Sequence, residues 1–330
     1  MVRVGIIGSG FGVRGLLPAF ISVKNCEVVA FCGKESEEVL RGCREAGVKN
    51  VYRNWREMLE EEELDALAIA VIPSAQYEIA KAAILEGIHV FAEKPLAVNY
   101  AQAKELLDLA KKKKVKHALD FMFPEIEEWV KVKEIIDSKK YGRLKELFLD
   151  WDFLSYDIKN QSLSWKTDVT QGGGALSLYL SHSLYYLEYF AGRILDFKAE
   201  VLFTRIKSQK IESGVDMQLK FKDATGKVHL SSSSPGLAKH KLRFAFEGAV
   251  VDLENNEMIT SDFTITISES SGTRKMKINK QNIKGQDERA VIVSRIAERF
   301  VNSIIDNTEN KPDFEDGVRV QKLIDQIRAV

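Results

Sequence analysis

Cysteine is scarce in this chain of 330 residues. Its three cysteines, Cys26, Cys32 and Cys43, lie near the amino terminus, with no CxxC pair or Cys/His cluster. An odd number of cysteines without metal-ligand spacing argues against a disulfide framework and against a structural zinc site. We therefore expect no metal centre and a protein that works in the reducing cytoplasm.

An excess of charge of either sign is also absent. Lysine plus arginine and aspartate plus glutamate number 48 each, so no net field attracts nucleic acid or an anionic membrane. The basic run from Lys111 to Lys114 is better explained as the end of a helix, where cations interact favourably with the helix dipole. We expect neither a nucleic-acid partner nor a membrane partner.

Long apolar runs and repeats are missing as well. No run approaches the ~20 residues that span a bilayer, and a first strand beginning at Val2 leaves no room for a signal peptide. No repeat with a period of roughly 20–50 residues is visible. The length and the ordinary soluble composition indicate two globular domains.

Glycine is concentrated in one motif that follows the apolar stretch from Val2 to Ile7. The motif consists of Gly8, Ser9, Gly10, Phe11, Gly12 and Val13. Strand, glycine-rich loop and helix are the context of a dinucleotide-binding fingerprint, in which Gly8 permits the turn and Gly10 lets a pyrophosphate approach backbone N–H groups. Val13 stands where the fingerprint has a third glycine or alanine. We predict a dinucleotide site here, with a glycine-rich turn that binds no ligand as the alternative.

The acidic residue that would bind the adenosine ribose of NAD is missing. It is expected about 20 residues beyond the loop, where the second predicted strand, Val28 to Cys32, ends at Gly33 and Lys34. No carboxylate repels a 2′-phosphate there, and Lys34 offers a cation to pair with it. We therefore predict NADP rather than NAD as cofactor, with NAD possible if Lys34 is only a solvated loop residue.

A lysine follows another predicted strand, Ile88 to Phe91, in the sequence Glu93-Lys94-Pro95. Strand and helix patterns alternate from Val2 to Met122, which predicts a doubly wound parallel sheet over residues 1–122. Ligands of such sheets bind at the carboxyl ends of the strands. We predict that Lys94 takes part in the chemistry, the alternative being a surface lysine before a turn.

Four blocks of the sequence occur in a distinctive order and spacing, namely Gly8–Gly12, Ala68–Pro73, Tyr77–Ala83 and Phe91–Leu96. In this order and spacing the chain resembles the glucose–fructose oxidoreductase/inositol dehydrogenase/MocA (Gfo/Idh/MocA) family. The resemblance implies an amino-terminal Rossmann domain, a second domain with an open-faced sheet, and pairing of subunits into a homodimer or homotetramer. It also implies a nicotinamide cofactor contacted by Val71, Pro73, Glu93 and Lys94, with Lys94 near the reacting carbon.

A triple glycine, Gly172 to Gly174, precedes a helix predicted from Ala175 to Phe190. Leu178, His182, Tyr185 and Tyr189 share one face of this helix. The resemblance implies that His182 is catalytic, although Leu178 replaces an aspartate found in many relatives and Tyr185 replaces another. Lys94 and His182 therefore remain, with Tyr185 or Tyr179 as possible helpers. A packed core histidine is the alternative.

Residues 123–330 are predicted to form an α+β domain for substrate binding and oligomerisation. Short alternating segments between Phe197 and Ile278 indicate an open-faced, mostly antiparallel sheet. Amphipathic helices from Asp287 to Ile305 and from Phe314 to Ile327 close the chain. The triple glycine is interpreted as a loop with unusual φ angles and close packing.

These observations favour an NADP(H)-dependent oxidoreductase that transfers hydride between the nicotinamide and a hydroxyl or ketone of a sugar, polyol or sugar-derived molecule. Two alternatives remain open. One is a non-catalytic, nucleotide-sensing regulator of the same fold, which the missing aspartate favours. The other is redox-assisted elimination or glycoside cleavage with a tightly bound cofactor.

Overall fold

The computed structural model describes residues 1–236, 238–257, 260, 262–276, 278 and 287–330. The strands predicted to start at Val2, Val28 and Ile88 begin within two residues of those positions. The strands are β1 (Val2–Ile7), β2 (Cys26–Cys32), β3 (Asn50–Tyr52), β4 (Ala66–Ile69), β5 (His89–Ala92), β6 (His117–Leu119), β7 (Leu144–Asp152), β8 (Asp196–Ile206), β9 (Gln209–Lys220), β10 (Thr225–Ser231), β11 (Lys239–Phe246), β12 (Val250–Asn255), β13 (Thr264–Glu269) and β14 (Gly272–Met276).

The helices alternate with strands in the first third of the chain. They are α1 (Leu17–Ile21), α2 (Glu37–Glu45), α3 (Trp55–Glu61), α4 (Pro73–Leu85), α5 (Tyr100–Lys113), α6 (Glu127–Ser138), α7 (Tyr156–Lys159), α8 (Ser181–Ala191), α9 (Glu288–Asp306) and α10 (Phe314–Arg328). The basic run ends α5, as predicted, and Lys114 follows in the left-handed conformation. Among the described helices, none is long and apolar enough to cross a membrane.

A parallel sheet in the order β3-β2-β1-β4-β5-β6 forms the first layer of the fold. Every residue of β4 is buried, as expected of a strand covered on both faces. The chain runs outward from β1 to β3 and then returns to build β4, β5 and β6 on the other side. The carboxyl ends of β1 and β4 therefore mark the point where strand order reverses, which is where such sheets bind ligands.

A second sheet has the order β14-β13-β12-β11-β7-β10-β9-β8. Only β7 and β10 pair in parallel in this sheet as described, and the other neighbours are antiparallel. Its strands alternate buried and accessible residues, so one face is covered and the other carries polar side chains. The predicted fold class, a Rossmann-type parallel sheet plus a mostly antiparallel sheet, is confirmed.

The chain divides into two compact units, each built from two separate segments. The sequence indicates the boundary after Met122 but not the return of the chain to the first unit. The first unit comprises Met1–Met122 with Ile283–Lys322, described from residue 287 onward, and the second comprises Phe123–Asn282 with Leu323–Val330. The expected second domain, 123–330, included the later segment of the first unit. In the structure the buried ring of Phe300 in α9 contacts Phe91 in β5, with ring centroids 5.9 Å apart. The segment therefore helps to build the core under the first sheet.

The helix predicted from Ala175 to Phe190 is not regular. Residues Leu176–Leu180 form a π-helical turn, and the α-helix α8 begins at Ser181. A π turn accommodates one extra residue, so side chains on either side of it leave the ideal i, i+4 alignment. The i, i+4 spacing of Leu178 and His182 predicted that they share one face of a regular helix, and the π turn makes that face less regular than predicted.

Candidate functional site

The turn after β1 is shaped by contacts that only glycine permits. Gly8 has φ +137°, and a Cβ there would lie 2.2 Å from the carbonyl oxygen of Ala70. A Cβ at Gly10 would instead meet no atom within 4 Å. The turn is thus tight on the side of β4 and open above Gly10, where a phosphate can approach the backbone.

The missing third glycine of the fingerprint is compensated by a glycine on a neighbouring helix. Val13 is buried in the turn that follows the loop, and a Cβ at Gly42 of α2 would lie 2.6 Å from its Cγ2. Gly42 therefore supplies the close approach that the fingerprint glycine usually gives. Phe11 lies over Gly15, and the guanidinium of Arg289 lies 4.8 Å from the Phe11 ring centroid. Phe11 and Gly12 thus belong to a packed helix start.

The ends of β1 and β2 are joined by one short hydrogen bond. The backbone N–H of Lys34 donates to Ser9 Oγ at 2.6 Å, and a Cβ at Gly33 would lie 2.7 Å from the same oxygen. A cavity of about 890 Å³ opens beside them. Its lining consists of Gly33, Lys34, Glu35, Ser36, Glu37, Leu40, Arg44 and Arg53.

The lining of this cavity carries more cations than carboxylates, with Lys34, Arg44 and Arg53 against Glu35 and Glu37. Arg53 forms a salt bridge with Glu35, which neutralises the carboxylate that directly follows Lys34. Lys34 is exposed, and so is Arg44 one helix away. An anionic group entering the cavity therefore meets the cations Lys34 and Arg44 as well as the carboxylate of Glu37.

The loop that carries Lys94 is held by a residue that the sequence did not single out. The Nε2 of Gln76, a buried side chain on α4, donates to the carbonyl oxygens of Glu93 at 2.6 Å and Pro95 at 2.9 Å. It also lies 3.2 Å from the carbonyl oxygen of Leu96. One amide thus fixes the backbone on both sides of Lys94. Helical periodicity marks Gln76 as buried but gives no indication of these partners.

The carboxyl groups of Glu93 and Asp120 lie close to each other at neighbouring strand ends. Asp120 follows β6, and its backbone N–H donates to the carbonyl oxygen of Ala92 at 2.9 Å. Burial raises the pKa of Glu93, although Lys94, a hydrogen bond with Asp120 and the charge of Arg289 oppose that change. Asp120 could have been predicted, because it directly follows a parallel strand as Glu93 and Lys94 do.

The predicted cofactor residues of the first unit lie at one edge of its sheet. Val71 lies between β4 and α4, and Pro73 is the first residue of α4. The N–H of Ala70, next to Val71, donates to the carbonyl oxygen of Ile7 at 2.8 Å, so this segment adjoins the glycine turn. Together with the open space above Gly10 and the cavity beside Lys34, these positions fit a dinucleotide.

His182 lies in the second unit, in the first turn of α8, and its side chain is buried. Its ring meets that of Phe123 edge to face, with centroids 5.0 Å apart. Tyr185, the other candidate on this helix, is half-buried. The neighbouring Tyr186 is fully buried instead, with its hydroxyl 2.9 Å from Ser183 Oγ and 3.0 Å from His240 Nε2. The tyrosine that anchors the helix is thus the one that sequence reasoning missed.

The triple glycine is a packed corner, as interpreted from the sequence. Gly172 and Gly174 have positive φ, and a Cβ at Gly173 would lie 2.2 Å from the carbonyl oxygen of Trp165. Arg328 of α10 donates to the carbonyl oxygen of Gly173 at 3.0 Å and to Glu212. No cluster of three or more His, Cys, Asp or Glu suited to a metal ion occurs in the described part of the chain.

Both units match descriptions of one protein family. Residues 2–121 match the description "Oxidoreductase family, NAD-binding Rossmann fold", and residues 129–251 match "GFO/IDH/MocA C-terminal domain". An oxidoreductase of Synechocystis is 31% identical over 191 residues, which are 58% of this chain and 52% of the relative. Levoglucosan dehydrogenase of Pseudarthrobacter phenanthrenivorans is 27% identical over 228 residues, covering 64% of this chain and 57% of the relative.

A sugar-nucleotide enzyme is among the relatives too. The dTDP-3,4-didehydro-2,6-dideoxy-alpha-D-glucose 3-reductase of Streptomyces violaceoruber is 27% identical over 147 residues, which are 44% of this chain and 43% of the relative. The chain thus spans about half the length of these curated relatives.

The fold is shared with solved structures over nearly the whole chain. A levoglucosan dehydrogenase in complex with NADH and levoglucosan superposes with a TM-score of 0.86, covering 99% of this chain and 96% of that one. At 20% identity this likeness concerns the fold alone. With both its Rossmann part and its carboxy-terminal part matched, the chain belongs to the Gfo/Idh/MocA family of oxidoreductases.

Proposed function

We propose that the protein is an NADP(H)-dependent oxidoreductase that transfers hydride between the nicotinamide and a hydroxyl or ketone of a sugar, polyol or sugar-derived molecule. The observation that carries the proposal is the fixed loop around Lys94, which follows β5 at the same sheet edge as the open glycine turn. An amine held at a strand end beside a dinucleotide site suits polarisation of a substrate oxygen. The named relatives that act on levoglucosan and on a dTDP-sugar support a carbohydrate substrate.

The preference for NADP rests on the charges at the end of β2. Lys34 and Arg44 line the cavity there, and Arg53 neutralises Glu35. A 2′-phosphate would form charge-assisted hydrogen bonds with these cations. Gly33 stands where the acidic residue that usually accepts the ribose hydroxyls of NAD is expected, and Glu37 at the start of α2 is the carboxylate of the cavity lining outside the Arg53–Glu35 pair.

The proposed chemistry divides between the two candidate catalytic residues. Bound cofactor supplies the hydride acceptor or donor, and the chain supplies binding, orientation and proton transfer. In the oxidative direction His182 accepts the proton of the substrate hydroxyl through its imidazole. Lys94 donates a hydrogen bond to the oxygen and stabilises the developing negative charge. The two residues can also exchange these roles, with Tyr185 as a helper on α8.

We further propose that the protein works in the cytoplasm as a homodimer or homotetramer. Its three cysteines are free thiols, which suits a reducing compartment. The accessible face of the second sheet, with its paired charges such as Arg243 and Asp252, is the surface proposed for subunit pairing. Analytical ultracentrifugation tests this: a dimer or tetramer supports the proposal and a monomer at micromolar concentration contradicts it.

A substrate screen tests the proposed function. The protein is mixed with NADP⁺ or NAD⁺ and a panel of sugars, sugar acids and polyols, and the formation of reduced nicotinamide is followed by its absorbance near ~340 nm. We expect at least one carbohydrate to be oxidised, and faster with NADP⁺. Binding of NADPH without turnover of any compound would favour the sensor. Conversion of a carbohydrate without net absorbance change would favour elimination or glycoside cleavage.

A further inference from the structure

An aromatic cluster adjoins His182 in the second unit and is not used by the chemistry described above. Its members are Phe123, Trp151, Phe153, Tyr179 and His240. The Trp151 ring meets Phe123 at 5.8 Å and Tyr179 at 5.9 Å between centroids, both edge to face. Since Phe123 also contacts His182 at 5.0 Å, the candidate base and Trp151 touch the same ring.

Trp151 is held as a platform with one ring face covered. His240 stacks on it in parallel, with centroids 4.2 Å apart and planes within 1°. His240 is in turn fixed by Tyr186 at 3.0 Å, and burial lowers the pKa of His240 to about 3, so it remains neutral. Trp151 is nevertheless only half-buried at the end of β7. The orientation of the indole is therefore fixed by His240 on one face, while part of the side chain stays accessible to a ligand.

Tyr179 adds a polar group to the same wall. It is half-buried in the π-helical turn, three residues before His182, and its ring meets Phe153 edge to face at 4.7 Å. Within the described residues its hydroxyl has no hydrogen-bond partner. Burial and the charge of Asp157 raise its pKa to about 12, so the hydroxyl keeps its proton at neutral pH. π turns often occur at functional positions, and this one carries Tyr179.

We propose that Trp151 and Tyr179 form a carbohydrate-binding wall beside His182, with the C–H face of a sugar ring on Trp151 and a sugar hydroxyl on Tyr179. A pyranose has an apolar face and polar edges, and an aromatic surface with few polar groups complements both. Glycerol, which has no ring face, would gain little from Trp151. The inference rests on the proposed carbohydrate substrate and assigns the residues that select it.

The test uses binding, so that it does not depend on turnover. The chain contains four tryptophans, so four indole N–H signals are expected from ¹⁵N-labelled protein. Trp151→Phe identifies the signal of Trp151. We expect levoglucosan or D-glucose to shift that signal in the presence of NADPH, and glycerol to leave it unchanged.

Affinity measurements give the size of the effect. Trp151→Leu should weaken binding of the same sugars by about 10-fold and Tyr179→Phe by roughly 3-fold, as expected for loss of an aromatic contact and of one hydrogen bond. The matched control is Trp55→Leu in the first unit, which should bind sugar as the wild type does. NADPH affinity should be unchanged in all three variants, which also reports that they are folded.

The outcomes separate this inference from the proposed function. Sugar binding at Trp151 without oxidation by either cofactor would support the wall and contradict the oxidoreductase. Oxidation of a sugar with an unchanged KM in Trp151→Leu would support the oxidoreductase and overturn the wall. If neither sugar shifts the Trp151 signal, the wall is likewise overturned.

Discussion

At the scale of single residues, one buried amide controls the position of the candidate catalytic lysine. Gln76 reaches from α4 to the carbonyl oxygens on both sides of Lys94. Such bonds are made between groups removed from water, so losing the donor leaves acceptors unsatisfied at a cost of about 1–3 kcal/mol. The loop around Lys94 then becomes more mobile. A displacement of the lysine by about one ångström is enough to reduce turnover.

We therefore expect Gln76→Met, which keeps the volume and removes the donor, to lower kcat by roughly 10-fold or more. Its KM for substrate should rise less than kcat falls, because Lys94 itself is retained. The matched control is Glu78→Met on the exposed side of the same helix, which should behave as wild type. An unchanged kcat in a folded Gln76→Met protein would show that the loop does not need this amide.

A second residue-scale prediction concerns the cofactor. Lys34→Ala should weaken NADPH binding by roughly 1.5–3 kcal/mol, because a charge-assisted hydrogen bond to the 2′-phosphate is lost. NADH binding should change little, and Lys49→Ala should leave both affinities unchanged. Fluorescence titration of both reduced cofactors measures these values. Tighter binding of NADH than of NADPH by the wild type would contradict the NADP proposal.

The residues of the candidate site that could be predicted from the sequence are those whose position follows from a local pattern. Gly8, Gly10 and Lys94 follow predicted strands, and strand ends of a parallel sheet meet at one edge. Gln76 and Arg289 could not be assigned partners in this way, since they contact the site from other parts of the chain. Their contacts depend on how the helices pack on the sheet, which a helical pattern alone does not specify.

At the scale of elements, the strands of both sheets could be predicted from their hydrophobic patterns. The features that these patterns did not predict are helical turns. The covered strand β4 reads as a continuous apolar run, and the strands around β9 alternate, so both types were predictable. The π turns at Gly12–Leu16 and Leu176–Leu180 were not, because a π turn has no distinct periodicity over five residues. Each of them adjoins a candidate site.

An element-scale prediction concerns His229 in β10. Burial lowers its pKa, but hydrogen bonding to Asp216 at 2.6 Å and the charges of Asp152 and Asp216 outweigh this, so its net pKa is raised. A raised folded pKa gives stabilisation that is complete below the unfolded value near ~6.5 and is lost as pH rises through the folded value. The neighbouring Lys239–Asp150 pair is neutral overall and leaves this sign unchanged.

His229→Gln should therefore reduce stability more at pH 6 than at pH 9, by up to about 1 kcal/mol after allowance for solvent screening. Denaturant unfolding at the two pH values measures the difference. NMR titration of the imidazole gives the pKa directly. A value below that of a free histidine would contradict the assigned ion pairs.

At the scale of the whole molecule, the first unit is completed by a distant part of the sequence. Helix α9 begins more than 160 residues after β6, yet Phe300 contacts Phe91 under the parallel sheet. Amphipathicity predicted the helix and its buried face but not the unit to which it belongs. An apolar stripe along a helix indicates that the helix packs against another apolar surface, but it does not indicate which part of the chain provides that surface.

Phe300→Ala should destabilise the first unit by about 3–5 kcal/mol, because it leaves a cavity against β5. The control is Ile305→Ala on the same helix, since Ile305 is 50% exposed. Hydrogen exchange should become faster in β5 for Phe300→Ala and stay unchanged in β9. Faster exchange confined to β9 would contradict the assignment of α9 to the first unit.

Our central proposal is that Lys94 and His182 act on one substrate oxygen, and kinetics of the single and double variants test it most directly. With the sugar that reduces NADP⁺ fastest, Lys94→Ala should lower kcat by about 10²-fold or more and His182→Ala by about 10²–10⁴-fold. The double variant should lose far less than the product of these factors, because the residues act as a unit. Cofactor affinity and thermal stability should change little. Multiplicative losses, or an unfolded His182→Ala beside a fully active Lys94→Ala, would contradict the account and make His182 a core residue.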